Sequence, residues 1–317
     1  MKISGFTMGK NVSKLYYPIK PSILSILPIV DEFIVVLGDS DKDDTTRKEI
    51  ESIADPKIKI IDTIWDIEKF PRGMEHAHQT DIAKSYCSGD WLFYLQADEV
   101  VHEKDLPVIK KRCEELLNDR EVEGLLFNYY HFWADYNHFH NSHGWYRKEI
   151  RIIRNKPEIH SWESAQSFRK IPSFEGLNYR QHEGTIKLNV AQVDAFIYHY
   201  GWVRPPVYMK SKIRAFKTNH KGKSKVAELE MNNRHYFDFD YGDLTKLDIF
   251  KGSHPAVMNE WIGKFNWSDE LKSRAKDKLR QPHKHEKLRY RLATFIEKYI
   301  LFGRPIGEFK NYKLLSR

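Results

Sequence analysis

The 317-residue chain predicts an α/β fold: helices packed around a mostly parallel central sheet, with a helical carboxy-terminal extension. Three observations predict it. Short strand patterns at residues 2–6, 32–37, 57–62 and 91–95 are separated by helical ones, the βαβ rhythm of a parallel sheet. The runs at 32–37 and 91–95 end abruptly in carboxylates, as open α/β sheets place polar groups in the crevice beyond their strand ends. After residue 205 the rhythm stops and basic, helix-forming stretches follow.

In chain order, residues 2–6 read as a first strand running into the loop Thr7-Met8-Gly9-Lys10-Asn11. Ile19, Ile23, Leu24 and Leu27 share one face of a helix over 18–27. The apolar run Phe33-Ile34-Val35-Val36-Leu37 reads as a buried strand and ends in Gly38-Asp39-Ser40-Asp41-Lys42-Asp43-Asp44. These crowded carboxylates repel one another unless cations or hydrogen-bond donors lie nearby. Asp44 or Thr45 also suits the start of a helix over 46–53. Arg72-Gly73 opens a helix over 74–88, where a cation and backbone amides suit a phosphate or sugar hydroxyls. His76 and His78 do not share a face of that helix and read as surface or supporting residues.

Trp91 to Leu95 does not alternate, so it reads as a strand buried on both faces, and it presents Gln96, Asp98 and Glu99 at its end. The bland alternative is that Asp98 and Glu99 cap a helix beginning near Asp105. An amphipathic helix with Leu106, Ile109, Cys113, Leu116 and Leu117 follows, then an aromatic strand over 124–133 and a basic, apolar strand ending at Arg154. His131, His138, His140 and His143 lack the spacing of a structural zinc site. A strand over 193–198 ends in His199-Tyr200-Gly201-Trp202-Val203-Arg204. Leu292, Phe295, Ile296, Tyr299 and Ile300 line one side of a basic helix over 290–302. That helix suits a membrane surface or a homodimer contact, but docking on its own domain is the commoner outcome.

Composition narrows the function classes. An apolar fraction of 41% with 30% charged residues fits a soluble globular protein. Cys87 and Cys113 are too few for a disulfide framework and read as buried thiols in a reducing compartment. The net charge of +8 suits nucleotide diphosphates and anionic membranes as well as polyanions. No nucleic-acid-binding motif is present, so no nucleic-acid partner is expected. No run approaches the ~20 apolar residues of a membrane span. The first residues lack the apolar core of a signal peptide, so the expected location is cytoplasmic, with peripheral membrane contact in view. Neither a G-x-G-x-x-G turn nor a phosphate-binding P-loop occurs; Gly222-Lys223-Ser224 lacks the upstream glycine.

Gly89-Asp90-Trp91-Leu92-Phe93-Tyr94-Leu95-Gln96-Ala97-Asp98-Glu99 resembles the strand and Asp-x-Asp signature of family-2 glycosyltransferases, which adopt the GT-A nucleotide-diphospho-sugar transferase fold. The resemblance covers roughly residues 2–205, with Gln96 replacing the first Asp and Thr80-Asp81 standing where relatives often carry Arg-Asn. It implies a catalytic domain over 1–205, carrying a mainly helical extension over 206–317. It further implies a divalent cation, Mn²⁺ or Mg²⁺, on Asp98 and His199, and inverting sugar transfer from a UDP- or GDP-type donor to a glycan or other hydroxyl acceptor. Candidate nucleotide-sugar contacts are Phe6, Thr7, Asn11, Asp39, Arg72, Gln96 and Arg204, the last because a guanidinium pairs bidentately with phosphate. Glu163 is the candidate general base, because the neighbouring Trp162 ring suits both stacking on a sugar and partial desolvation of the carboxylate; Asp135 is the next candidate. The alternatives are a sugar-phosphate nucleotidyltransferase-like enzyme, which releases pyrophosphate, and a non-catalytic polyanion- or carbohydrate-binding protein.

Overall fold

A computed structural model describes residues 1–233, 235–274, 282–307 and 310–317. The first half alternates strand and helix: β1 (Ile3–Gly9), α1 (Ile19–Ile26), β2 (Glu32–Leu37), α2 (Thr46–Glu51), β3 (Ile58–Asp62), α3 (Met74–Ser85) and β4 (Trp91–Tyr94). β5 (Glu99–Val101), α4 (Leu106–Glu115), β6 (Gly124–Trp133), β7 (His138–His140), β8 (Lys148–Arg154), the hairpin β9 (Ile159–Trp162) and β10 (Ser167–Lys170), and the long β11 (Leu188–Trp202) follow. The main sheet runs β3-β2-β1-β4-β8-β6-β7, with the first four strands mutually parallel and β8 antiparallel to both neighbours. β11 lies parallel to β6 and carries β5 antiparallel. The fold is therefore α/β with a curled central sheet, as the alternating pattern predicts.

The apolar runs become central strands because both of their faces are covered. All residues of β2 and β4 are buried. On one face α1 contributes Ile19, Ile23 and Ile26, and α4 contributes Leu106, Ile109 and Cys113; Ile26 lies outside the expected α1 stripe, in which Leu24 is only partly buried. Each such side chain stabilises the fold by about 1.5–3 kcal/mol. Both cysteines are buried thiols. Polar ties set the strand starts: the Glu32 carboxylate accepts from Ser4 Oγ at 2.7 Å and from the Ser88 amide at 2.8 Å.

The extension comprises α5 (Pro206–Lys221), α6 (Lys223–Asn232), the strand β12 (Asp248–Ile249), α7 (Asn259–Gly263), α8 (Ser268–Arg274), α9 (Leu288–Phe295) and β13 (Tyr312–Leu314). A π-helical turn, Ile296–Ile300, continues α9. Its two short strands join the main sheet, β12 on β7 and β13 on β11. Part of the basic stretch over 272–291 lies outside the described residues. Among the described residues no helix is long and apolar enough to cross a membrane.

Candidate active site

Strand register assembles the centre of the site. β5 and β11 pair so that Glu99 stands opposite His199, and the Tyr200 amide donates to the Asp98 carbonyl at 2.8 Å. This holds the buried Asp98 carboxylate 3.5 Å from His199 Nε2, beyond ordinary hydrogen-bonding distance. The contact needs Gly201, since a Cβ there would overlap both the carboxylate and the imidazole. Burial pushes the Asp98 carboxyl up, but His199, Lys212 and Arg204 together outweigh it and hold the group well below the usual carboxylate range.

On the other side of β11, the β6 register sets His131 opposite His199, with their Nδ1 atoms 3.0 Å apart. His131 Nε2 donates to the Tyr146 carbonyl at 2.8 Å, because a carbonyl can only accept. Burial, helped by His199, pushes the His131 pKa well below its ordinary value and keeps the ring neutral. Its Nδ1 is therefore bare and accepts from His199 Nδ1–H, which leaves His199 Nε2 facing Asp98. An oxygen and an imidazole nitrogen so placed suit Mn²⁺ or Mg²⁺. Among the described residues no group of three or more His, Cys, Asp or Glu side chains is arranged to hold a metal ion.

The cations beside this pair differ from the expectation. Arg204 is fully buried; Nη1 donates to the Leu15 carbonyl, Nη2 donates to the Gly201 carbonyl at 2.8 Å, and the guanidinium lies 4.3 Å over the Tyr17 ring. Its two-pronged face is committed to backbone, so it acts as a tie with a fixed charge, not as an open diphosphate fork. Lys212, on α5, is half-buried there: its Nζ donates to the Gly201 carbonyl and lies 4.5 Å over the Trp202 ring, and burial, with Arg204 beside it, pushes its pKa well below the ordinary value against the pull of Asp98. One Lys among many in a basic helix carries no sequence signal of this role.

The loop over 10–17 links this centre to the end of β2. Asp39 accepts from the Trp65 amide at 2.9 Å and pairs with Lys10 at 2.8 Å. Trp65 packs against Gly38, where a Cβ would collide with the indole, and meets the His76 ring edge-on at 5.2 Å. Burial lowers the His76 pKa to about 4, so that ring is neutral. Asn11 Oδ1 accepts from the Asp41 amide at 2.7 Å, and Lys14 bridges Asp41 and Asp43 at 2.7 and 2.8 Å. Ser13 Oγ donates to Asp44 at 2.6 Å. The mutual repulsion of these carboxylates is thus answered by Lys10, Lys14, Asn11 and Ser13. Trp65 is unassigned in the sequence, where a lone Trp in a polar loop is the only signal; His76, expected as a surface or supporting residue, packs beside it.

The third wall is the turn between β9 and β10. Gln96 Nε2 donates to the Ala165 carbonyl at 3.0 Å, which brings this turn against the strand end that carries Asp98. Glu163 holds a left-handed backbone (φ 61°), uncommon without glycine, and its carboxylate pairs with Arg180 at 2.5 Å. Trp162 does not shield it. That ring is buried under Arg169 at 4.3 Å, with its N–H donating to the Gln181 carbonyl at 2.9 Å, so it is no sugar platform. Arg72 is exposed, and the Gly73 amide at the α3 start donates to the Asn219 carbonyl at 2.9 Å; α5 closes that helix end to a phosphate.

Other expected residues serve the fold. Phe6 is fully buried against Tyr94 and Phe168, and Thr7 is buried in β1, so neither side chain reaches the cleft. Glu99 turns inward and takes two bonds from Arg151, each 2.7 Å, and one from Tyr129 at 2.9 Å. It neither lines the crevice nor caps a helix; α4 begins after Asp105, behind a short turn capped by His102. Asp135 accepts from the Asn137 and His138 amides, which occupies it in a turn. Asp81 binds His160 and the Ser161 amide, both at 2.7 Å, tying α3 to β9.

No protein-family model matches the chain, and no curated protein matches it. Among solved structures it is similar to a 1–349 fragment of Staphylococcus aureus TarS, with 14% identity over 74% of this chain and 72% of that one and a TM-score of 0.34. Glucosyl-3-phosphoglycerate synthase from Mycobacterium tuberculosis, bound to Mn²⁺, UDP and phosphoglyceric acid, gives 21% identity over 40% of this chain and 43% of that one, with a TM-score of 0.28. The mannosyltransferase PcManGT from Pyrobaculum calidifontis, with GDP-Man and Mn²⁺, gives 17% identity over 39% and 34%, with a TM-score of 0.30. The chain spans less than half the length of the latter two. With similarity of this size, the functional reading comes from the site itself.

Proposed function

We propose that the chain is a metal-dependent glycosyltransferase. It moves a sugar, with inversion, from a UDP- or GDP-type nucleoside-diphosphate sugar to an acceptor hydroxyl of a glycan or other molecule. The observation that carries the reading is the meeting of a buried, ionised Asp98 with His199 Nε2 and Lys212 at one strand end, joined through a single loop to Asp39. A polyanion groove has no use for a buried carboxylate at its centre.

Asp98 and His199 would hold the divalent cation, which when bound supplies Lewis-acid charge neutralisation for a diphosphate. Lys212 and the fixed charge of Arg204 add positive potential where the leaving group gathers charge. Asp39 and Asn11, with the Trp65 ring, form the nucleoside end. Glu163, two residues before the Ala165 carbonyl that Gln96 holds, takes the acceptor proton. The acceptor oxygen then bonds to the anomeric carbon as the bond to the diphosphate oxygen breaks, the electron pair leaving with the diphosphate.

Thermal unfolding with UDP or GDP, with and without Mn²⁺, tests the reading. A ligand specific for the native state stabilises by about 2.7 kcal/mol at a hundredfold excess over its Kd. The melting temperature should rise, and Asp98→Asn should lose the Mn²⁺-dependent part. If no UDP, GDP, CMP or dTDP compound moves the wild-type transition, the proposal fails.

A further inference from the structure

We infer that the carboxy-terminal helix docks on an anionic bilayer surface. α9 and its π-helical turn are amphipathic in the expected way but sit on the domain the other way round. The docked side is polar: Glu297 is buried and accepts from His143 Nδ1 at 2.7 Å and Arg147 Nη2 at 2.6 Å, while Thr294 Oγ1 accepts from the His143 amide at 2.8 Å. The apolar side faces out. Leu288 is 67% exposed, Leu292 54%, Phe295 56%, Tyr299 60% and Phe302 90%. The spacing of four, three and four places Leu288, Leu292, Phe295 and Tyr299 along one side of the helix, and Phe302 follows in the turn beyond it with a left-handed backbone. Single exposed apolar residues are ordinary, but a contiguous row of this length marks an interaction surface.

Charge decides what covers it. Between residues 284 and 304 the cations are Lys284, Lys287, Arg289, Arg291, Lys298 and Arg304; Lys298 pairs with Asp248 at 3.1 Å and Lys284 donates to the Gly144 carbonyl at 3.2 Å. The only carboxylates are Glu286, which accepts from the His283 and Asp243 amides, and the inward Glu297. A second copy using the same face would set like charges against each other in a two-fold contact. A bilayer with anionic headgroups takes the apolar stripe into its boundary and pairs with the flanking Lys and Arg, as interfacial helices do. This inference is independent of the sugar-transfer reading.

Flotation of the purified full chain on vesicles tests it. The protein should float with phosphatidylcholine vesicles containing phosphatidylglycerol, bind phosphatidylcholine alone far less, and lose binding as salt is added. The triple variant Leu292→Ser, Phe295→Ser, Tyr299→Ser should bind at least about tenfold more weakly, with its melting temperature unchanged because these side chains touch solvent. Phe302→Ser alone should weaken binding in the same direction. Wild-type protein that fails to float with the anionic vesicles overturns the inference, whatever the variants do. So does a triple variant that folds and still floats like wild type. A wild-type dimer in sedimentation that the triple variant dissolves, without vesicle binding, assigns the face to a second copy instead.

Discussion

At the scale of single residues, the site separates groups that touch a substrate from groups that hold others in place. Arg204 puts both Nη atoms on backbone carbonyls and Lys212 puts its Nζ on the Gly201 carbonyl, whereas Gly201 matters for what it lacks. Glu163 is the residue with the sharpest test. Its carboxylate is kept on the turn by Arg180, not desolvated by Trp162, so its value as a base lies in position. Glu163→Gln should lower turnover by roughly 10²–10⁴-fold, the usual worth of a general base, while nucleotide binding stays intact. Wild-type turnover in that variant, measured with saturating donor, removes Glu163 from the mechanism.

At the scale of elements, β5 sets the geometry. It is only three residues long, yet its pairing with β11 brings Asp98 to His199. The fully buried Glu99–Arg151 pair anchors it, with the guanidinium also lying near the Tyr94 and Tyr129 rings. Arg151→Met removes the countercharge of Glu99 and leaves the buried carboxyl only the Tyr129 hydroxyl and the Gln96 amide, so equilibrium denaturation should show a loss of about 3–5 kcal/mol. Adding Glu99→Leu to that variant should recover much of the loss, because a buried pair replaced on both sides costs far less than one broken. A single Arg151→Met variant as stable as wild type shows that the pair does not anchor the strand.

Across the whole molecule, pH should act through buried carboxylates that the fold keeps ionised. Burial raises the Glu32 carboxyl, but bonds from Ser88, Ser4 and Lys59 outweigh it and hold the pKa at about 2. The native state therefore favours the ionised form. Its contribution is complete above the ordinary value of 4.5 and disappears as pH falls toward about 2. Glu32→Gln should cost about 2 kcal/mol near neutrality, the worth of a charged hydrogen-bond set, and the gap from wild type should close over that acid window in urea titrations. A gap that stays constant with pH assigns the loss to shape rather than charge.

The sequence by itself determined the α/β alternation, most of the helix faces of α1 and α4, and the strand ends before Asp39 and Asp98, because each is written in consecutive residues or in a helical period, whereas His199 lies inside β11, which runs on to Trp202. Other features were decided only in three dimensions. Which of Asp98 and Glu99 enters the cleft depends on Arg151 lying behind β5, fifty-two residues away. The His131–His199 relay depends on the register of two strands, and Lys212 is singled out only by where α5 lands. The periodicity of α9 identifies an apolar side but not the direction it faces. That direction goes with Glu297, whose buried carboxyl group meets His143 and Arg147 and carries the polar side of the helix inward with it.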